Sequence, residues 1–461
     1  MRGALAAGHP LTAAAGADVL SAGGNAVDAC IAAGAVSWVC ESPLTGPAGG
    51  GFLLVHRVSE ARTRLLDFFV SVPERTPSPE ELVGLVVDYG DSQQTFYTGP
   101  MSVAVPGAAL GLWEAHRRWG SVPWAELLAP ATRLAREGVV LNEIQAFLHR
   151  ILDPLLRYYP EGDALYGPGS ALLEGERFAM PELADTLEQV AVEGAGCLYR
   201  GELAERIVAH VPLTLDDLAR YEVLEREPLA VSFRGEELRT NPAPAAGGRL
   251  LAAGLEALGA AEPTSLATVQ ALEAQDALRR AEAVGGTTHI SAVDGNGDAA
   301  SLSCSLGSSG GVVVPGTGVQ LNNMLGETHL MGSEMRPGER LMSQMAPSLL
   351  LREGAPRLVV GSAGSSRLAG AILQVVANVA ARRLGVEVAV EAPRLHFENG
   401  VAHCEDRAAA DVLEAAGYPV VRWHAHNLFF GGVSAVEIRD DGSLAAAGDP
   451  RRGGAAVVVQ V

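Results

Sequence analysis

The sequence predicts an α+β fold of stacked helix and strand layers, and three observations predict it. Residues 107–220 read mostly as helix. Past Gly285-Gly286 the texture turns to strand, turn, strand, with a hairpin turn of Asn and Gly at 294–298. Strands in hairpins with helices segregated outside them lack the alternating rhythm of a parallel sheet. At 48% apolar residues, the 461-residue chain has ample material for a core.

The elements follow in order. Residues 25–41 carry small and apolar residues at helical spacing, with Asn25 as N-cap after Gly23-Gly24 and Ser42-Pro43 as the stop. Gly49-Gly50-Gly51 opens an apolar strand at 52–56, which pairs with a second at 64–69. Residues 76–100 are polar and turn-rich, a surface excursion. The stretch 229–240 alternates like a strand, and a helical run follows to about Ala283. From Thr287, TTHISAVD and AASLSCSL form a hairpin. Further strands are expected at 311–314, 318–321, 348–352 and 357–361, helices at 369–383 and 408–416, and a strand-like end.

Composition excludes several chemistries. There is no lysine; all 34 basic residues are arginine. That removes a lysine Schiff base, a pyridoxal-phosphate site, a lysine nucleophile and a Walker A loop. A net charge of −20 argues against nucleic acid or an anionic membrane as partner. The five cysteines are odd in number with no CxxC pair, and read as free buried thiols. His9-Pro10 interrupts the apolar N-terminus before it reaches signal-peptide length, and no 18-residue apolar run occurs, so the expected location is cytoplasmic. No GxSxG elbow is present. His424 and His426 have no third ligand at metal spacing. No metal and no cofactor are expected.

One constellation carries chemistry. Thr287 begins a strand directly after two flexible glycines. A hydroxyl there can attack the preceding carbonyl, and this N→O acyl shift severs the chain between Gly286 and Thr287. The freed α-amine then serves as base for the adjacent hydroxyl. Gly364-Ser365 sits in a loop leading into a helix, where backbone N–H groups can form an oxyanion hole. Taken alone, β-branched residues simply starting a strand explain Gly-Gly-Thr-Thr as well.

The wider sequence resembles the γ-glutamyltranspeptidase family from about residue 3 to the C-terminus. The matching segments include AGADVLSAGGNAVDACIAAG, GPAGGGFLLVH, LTLDDLARYEVLEREPL, TTHISAVDGNGDAASL, GTGVQLNNMLGE, PGERLMSQMAPSLLL, GSAGSSRLAGAILQV and GDPRRGGAA. The resemblance implies a four-layer αββα sandwich of the N-terminal-nucleophile hydrolase type. It implies self-cleavage into a large subunit, 1–286, and a small subunit, 287–461, which stay associated around one core; higher homo-oligomers are left open. It makes Thr287 the nucleophile, places Ser305 where a threonine supports it, and places Gly364 and Ser365 on the oxyanion pair. Glu327 falls where an aspartate holds the donor's α-ammonium, and Ser343 and Gln344 fall on a Ser-Ser pair that binds its α-carboxylate.

The sequence departs from that family at the donor site. Phe69 replaces an arginine that clamps the donor carboxylate, Gly307 an asparagine, Met324 a glutamine and Gln344 a serine. A lost charge-assisted carboxylate contact costs on the order of 1.5–3 kcal/mol of donor binding. The linker before the nucleophile is also short. The expectation is an acyl-transfer engine with a rebuilt small-molecule pocket, suited to a larger or more apolar substrate. Family homologues serving 4-alkylproline units in lincosamide, pyrrolobenzodiazepine and hormaomycin pathways are thought to remove an oxalyl unit by C–C hydrolysis, and the lysine-free composition suits an actinobacterial source. A γ-glutamyl hydrolase or transpeptidase acting on glutathione-like amides, and an unprocessed binding relative, remain as alternatives.

Overall fold

The computed structural model describes residues 3–88, 93–279, 287–327 and 335–460. Two large sheets organise the chain. The first has seven strands: β1 (Gly3–Ala7), β2 (Gly50–Arg57), β3 (Arg62–Phe68), β4 (Leu224–Arg226), β7 (Thr288–Asp294), β8 (Ala299–Ser305) and β13 (Ala455–Val459), in the order β13-β1-β7-β8-β2-β3-β4. The second has six: β5 (Leu229–Phe233), β6 (Glu236–Thr240), β9 (Ser348–Arg352), β10 (Ala355–Ala363), β11 (Gly432–Ile438) and β12 (Leu444–Gly448), in the order β12-β11-β10-β9-β6-β5. All pairings within both sheets are antiparallel.

Alternation along each strand sorts the apolar residues into three clusters. On β1, Leu5 and Ala7 join a cluster with α1 (Pro10–Ser21) and α2 (Ala26–Cys40), whereas Ala4 and Ala6 turn the other way. Those join Phe52, Leu54, Val293, Val359 and Val436 in a cluster drawn from both sheets. A third cluster joins the second sheet to α3 (Gly247–Leu258), α4 (Ser265–Arg279) and α5 (Leu368–Ala380). Among the described residues no helix is long and apolar enough to cross a membrane.

The first expected helix forms as α2. Asn25 caps it, accepting from the N–H groups of Val27 and Asp28, while Asp28 answers with a bond from the Asn25 N–H. Every residue of α2 is buried. The strand pair β2–β3 and the hairpin β7–β8 also form as expected. Three expectations are corrected. Residues 76–100 hold a hairpin, Val83–Asp88 paired with Gln93–Thr98, not merely a loop, because Val87 and Phe96 are buried in the core cluster there. The helical run after residue 240 is two helices, α3 and α4, parted at Gly259, which ends α3 with φ +50°. The N-terminus, read only as an interrupted apolar run, is β1, which pairs on one side with β7 and on the other with β13.

Candidate active site

Thr287 lies one residue before β7 and is buried. The β7–β8 register pairs Thr288 with Cys304, so one step further sets Thr287 opposite Ser305. Ser305 in turn pairs with Gly50 on β2, and the β2–β3 register carried one step past Gly51–Phe68 sets Gly50 opposite Phe69. Thr287, Ser305, Gly50 and Phe69 therefore form one row across four adjacent strands. Directly opposed residues bring their Cβ atoms within about 5 Å, which puts the Ser305 hydroxyl beside Thr287.

Beneath that row, His289 is fully buried between the sheets. Its Nδ1 is 2.8 Å from Ser303 Oγ and its Nε2 3.0 Å from Ser291 Oγ. Ser291 Oγ donates to the Ser434 carbonyl on the second sheet. Burial pushes the imidazole down to about 3, so it is neutral at physiological pH. Gly361 on β10 lies flat against the ring: a Cβ there would sit 2.2 Å from Cε1. Two residues on, Ala363 lines the same narrow cavity as Thr287.

Gly364 and Ser365 follow Ala363 directly. Both take positive φ, 128° and 60°, before the chain enters α5. Ser365 is a side-chain-bearing residue in the left-handed region, a strained conformation of the kind that clusters at functional turns. A Cβ on Gly364 would meet the Gly431 Cα at 2.6 Å, so only glycine lets the two turns approach.

The donor-site candidates fall into two groups. Ser305 Oγ accepts from the Gly307 N–H at 2.8 Å. Gly307 has φ +78°, and a Cβ there would meet Asn323 Oδ1 at 2.0 Å and Glu327 Oε1 at 2.9 Å. Glu327 Oε1 also accepts from Ser308 Oγ at 3.3 Å. Ser305, Gly307 and Glu327 are thus brought together. Phe69 and Met324 belong to the apolar cluster between the sheets, with Leu325, Leu341 and Met345. Phe69 is 3% exposed and stacks on Phe52 at 5.5 Å between ring centroids. It is a packed residue of that cluster. Ser343 Oγ accepts from the Met345 N–H at 3.2 Å, the Gln344 carbonyl packs on Gly247 at the start of α3, and both residues are buried. Gly286 lies outside the described residues.

Two residues of the cavity escaped the sequence reading. Glu41, just past α2, is buried, and its two oxygens accept from Thr12 Oγ1 at 3.0 Å and Thr288 Oγ1 at 2.6 Å. Burial holds its carboxyl above the ordinary carboxylate value, an effect only partly offset by the two hydroxyl bonds and the Arg452 charge. A Cβ on Gly8 would stand 2.6 Å from Glu41 Oε2, so the chain passes hard against the carboxylate. Arg452 lines the same cavity and donates to the Leu428 carbonyl at 3.4 Å. A signal for Glu41 was present: an acidic residue ends a helix of mostly small and apolar residues, where the helix dipole opposes it. Arg452 lies in the matching segment GDPRRGGAA, but nothing in that segment gave it a role.

Comparison with known proteins follows the same lines. The family model of gamma-glutamyltranspeptidase matches residues 12–283 and 260–459. The chain is 29% identical to a glutathione hydrolase proenzyme of Pseudomonas aeruginosa, covering 99% of this chain and 95% of that protein. It is 30% identical to the acylase ACY 1 proenzyme of Pseudomonas sp. strain SE83, covering 99% and 94%. Among solved structures, a cephalosporin acylase from Bacillus halodurans superposes with a TM-score of 0.85 at 25% identity, over 100% of this chain and 96% of that one.

Proposed function

Because the chain belongs to the gamma-glutamyltranspeptidase family, we propose that it is a self-processing threonine hydrolase with a donor site rebuilt away from γ-glutamyl groups. In this reading the chain severs between Gly286 and Thr287, the two parts stay together, and the helix and sheet layers form an αββα sandwich around one core. Thr287 Oγ attacks a substrate carbonyl, its own amine takes the proton, and the Gly364-Ser365 turn stabilises the oxyanion. Ser305, opposite Thr287, supports the hydroxyl. Water then releases the acyl group.

The observation that carries the specificity reading is the burial of Phe69 against Phe52 in a cluster that also holds Met324. Of the positions that would fix a donor carboxylate, Phe69 is apolar and buried where a charged clamp is needed, while Ser343 and Gln344 stay polar and are buried too. We assign the substrate to acyl donors without the amino-acid head of glutathione. The leading case is a ring intermediate bearing an oxalyl unit: the carbonyl carbon bonds to Thr287 Oγ, the C–C bond breaks, and the electron pair leaves on the ring as an enamine or dienolate that picks up a proton. Hydrolysis of the acyl-threonine then releases oxalate. A second reading, hydrolysis of an amide of an apolar acyl group, is favoured by the 30% identity to a protein named an acylase.

Turnover of oxalyl-bearing pyrroline acids, apolar N-acyl amides and a γ-glutamyl anilide, measured side by side, tests the proposal. Preference for either of the first two by at least tenfold in kcat/KM is expected. A γ-glutamyl anilide turned over best contradicts it.

A further inference from the structure

Glu41 and Arg452 carry opposite charges into the cavity that Thr287 lines. Neither has a part in the chemistry described so far. Glu41 is bound through Thr288, the residue directly after the nucleophile, and both of its oxygens accept hydroxyl protons, the pattern of an ionised carboxylate. It sits beside a helix C-terminus, which disfavours a negative charge. A buried carboxylate in that position calls for a compensating cation. Arg452 is the charged group that acts on it, but its guanidinium also reaches the Leu428 carbonyl and approaches Gly364.

The maturation proposed above would place a second cation in this cavity. Cleavage before Thr287 frees an α-amine at a buried residue, and an α-amine ordinarily titrates near pH 7.7–8.0. As the base for its own hydroxyl it must be neutral to work. We propose that Glu41 and Arg452 are the opposed pair that sets the protonation of the Thr287 amine, and with it the pH range in which the mature enzyme works. Glu41 favours the ammonium and Arg452 the free amine. The inference rests on the reading of Thr287 as a freed N-terminal nucleophile. Both are positioning residues, acting on the base and not on the substrate.

The other titratable groups around Glu41 do not supply this function. His289 is held neutral by burial. Asp449 is paired with Arg394 at 2.5 Å and with Arg451 at 3.3 Å. Burial keeps the neighbouring Cys40 thiol protonated. His9, next to Gly8, is pushed down to about 4 and accepts from the Leu11 N–H.

The test is the acid limb of the pH–kcat profile in cleaved enzyme, read on two variants. Glu41→Gln keeps the shape and removes the negative charge, so the limb moves to lower pH by about one unit. Arg452→Gln removes the positive charge, so the limb moves to higher pH. Glu41→Asp, which keeps the charge, leaves the limb near the wild-type position. A purely structural role would lower activity without moving the limb in opposite directions. If Glu41→Gln fails to fold, the upward shift in Arg452→Gln decides alone. The intact mass of each protein is measured first. A wild type that stays uncut overturns the proposed function, whereas cut variants with unmoved limbs, or limbs moving the same way, overturn this inference alone.

Discussion

Gly361 on the second sheet lies against the imidazole face of His289 on the first, so close that a Cβ would sit 2.2 Å from the ring. This contact sets the spacing between β7, which follows Thr287, and β10, which leads into the Gly364-Ser365 turn. Gly361→Ala must push the sheets apart or displace a ring that bonds to Ser303 and Ser291. Overpacking of this kind costs about 1–3 kcal/mol. A drop in Tm accompanied by a fall in kcat larger than any change in KM is expected from thermal melting and steady-state kinetics. An unchanged kcat would show that the spacing is not set here.

Phe69→Arg puts a guanidinium into the apolar cluster of Phe52, Met324 and Leu341. An uncompensated buried charge destabilises by roughly 3–5 kcal/mol. The single variant is expected to melt lower and to gain little γ-glutamyl activity. Phe69→Arg combined with Met324→Gln gives the guanidinium a polar neighbour and should raise turnover of a γ-glutamyl anilide above wild type. A double variant that folds and shows no gain would mean that the missing clamp is not what excludes this donor.

Acid should destabilise the protein through its buried histidines. Burial pushes His149 down to about 4 and His289 to about 3, from 6.5. Below pH 6.5 the unfolded chain binds protons that the folded chain does not, so stability falls as pH drops from 6.5 towards those folded values. Each such group costs about 2 kcal/mol by pH 5. His149 packs edge-on against the stacked rings of Tyr166 and Phe178, at 5.4 and 5.2 Å between centroids. His149→Phe removes one titrating group and keeps the aromatic packing. The Tm difference between pH 7.5 and pH 5 should narrow in this variant; an unchanged gap would place the acid sensitivity elsewhere.

Elements with a local signature were legible in the sequence. Asn25, after Gly23-Gly24, announced the start of α2, and the Asn/Gly turn at 294–298 announced the β7–β8 hairpin. Thr287 stood out because two glycines precede a β-branched pair. The contacts that build the site around it were not legible, because they join distant segments. Ser305 meets Thr287 only through strand register, and β1 acquires its meaning from pairing with β7 and β13. Phe69 was visible as an apolar substitution and the β2–β3 pairing was read, but its stacking on Phe52 depends on the register of that pair. Glu41 and Arg452 are 411 positions apart and meet only in the folded cavity.

The central claim is that Thr287 becomes a free N-terminal nucleophile. The intact mass of the purified protein, beside that of Thr287→Ala, tests it most directly. The wild type should give two species of about 30 and 18 kDa, by residue proportion of 47.8 kDa, with the smaller one beginning at Thr287, and the variant one uncut chain. A wild type that remains a single chain after long incubation, or a Thr287→Ala variant that is cut as readily, would contradict the account.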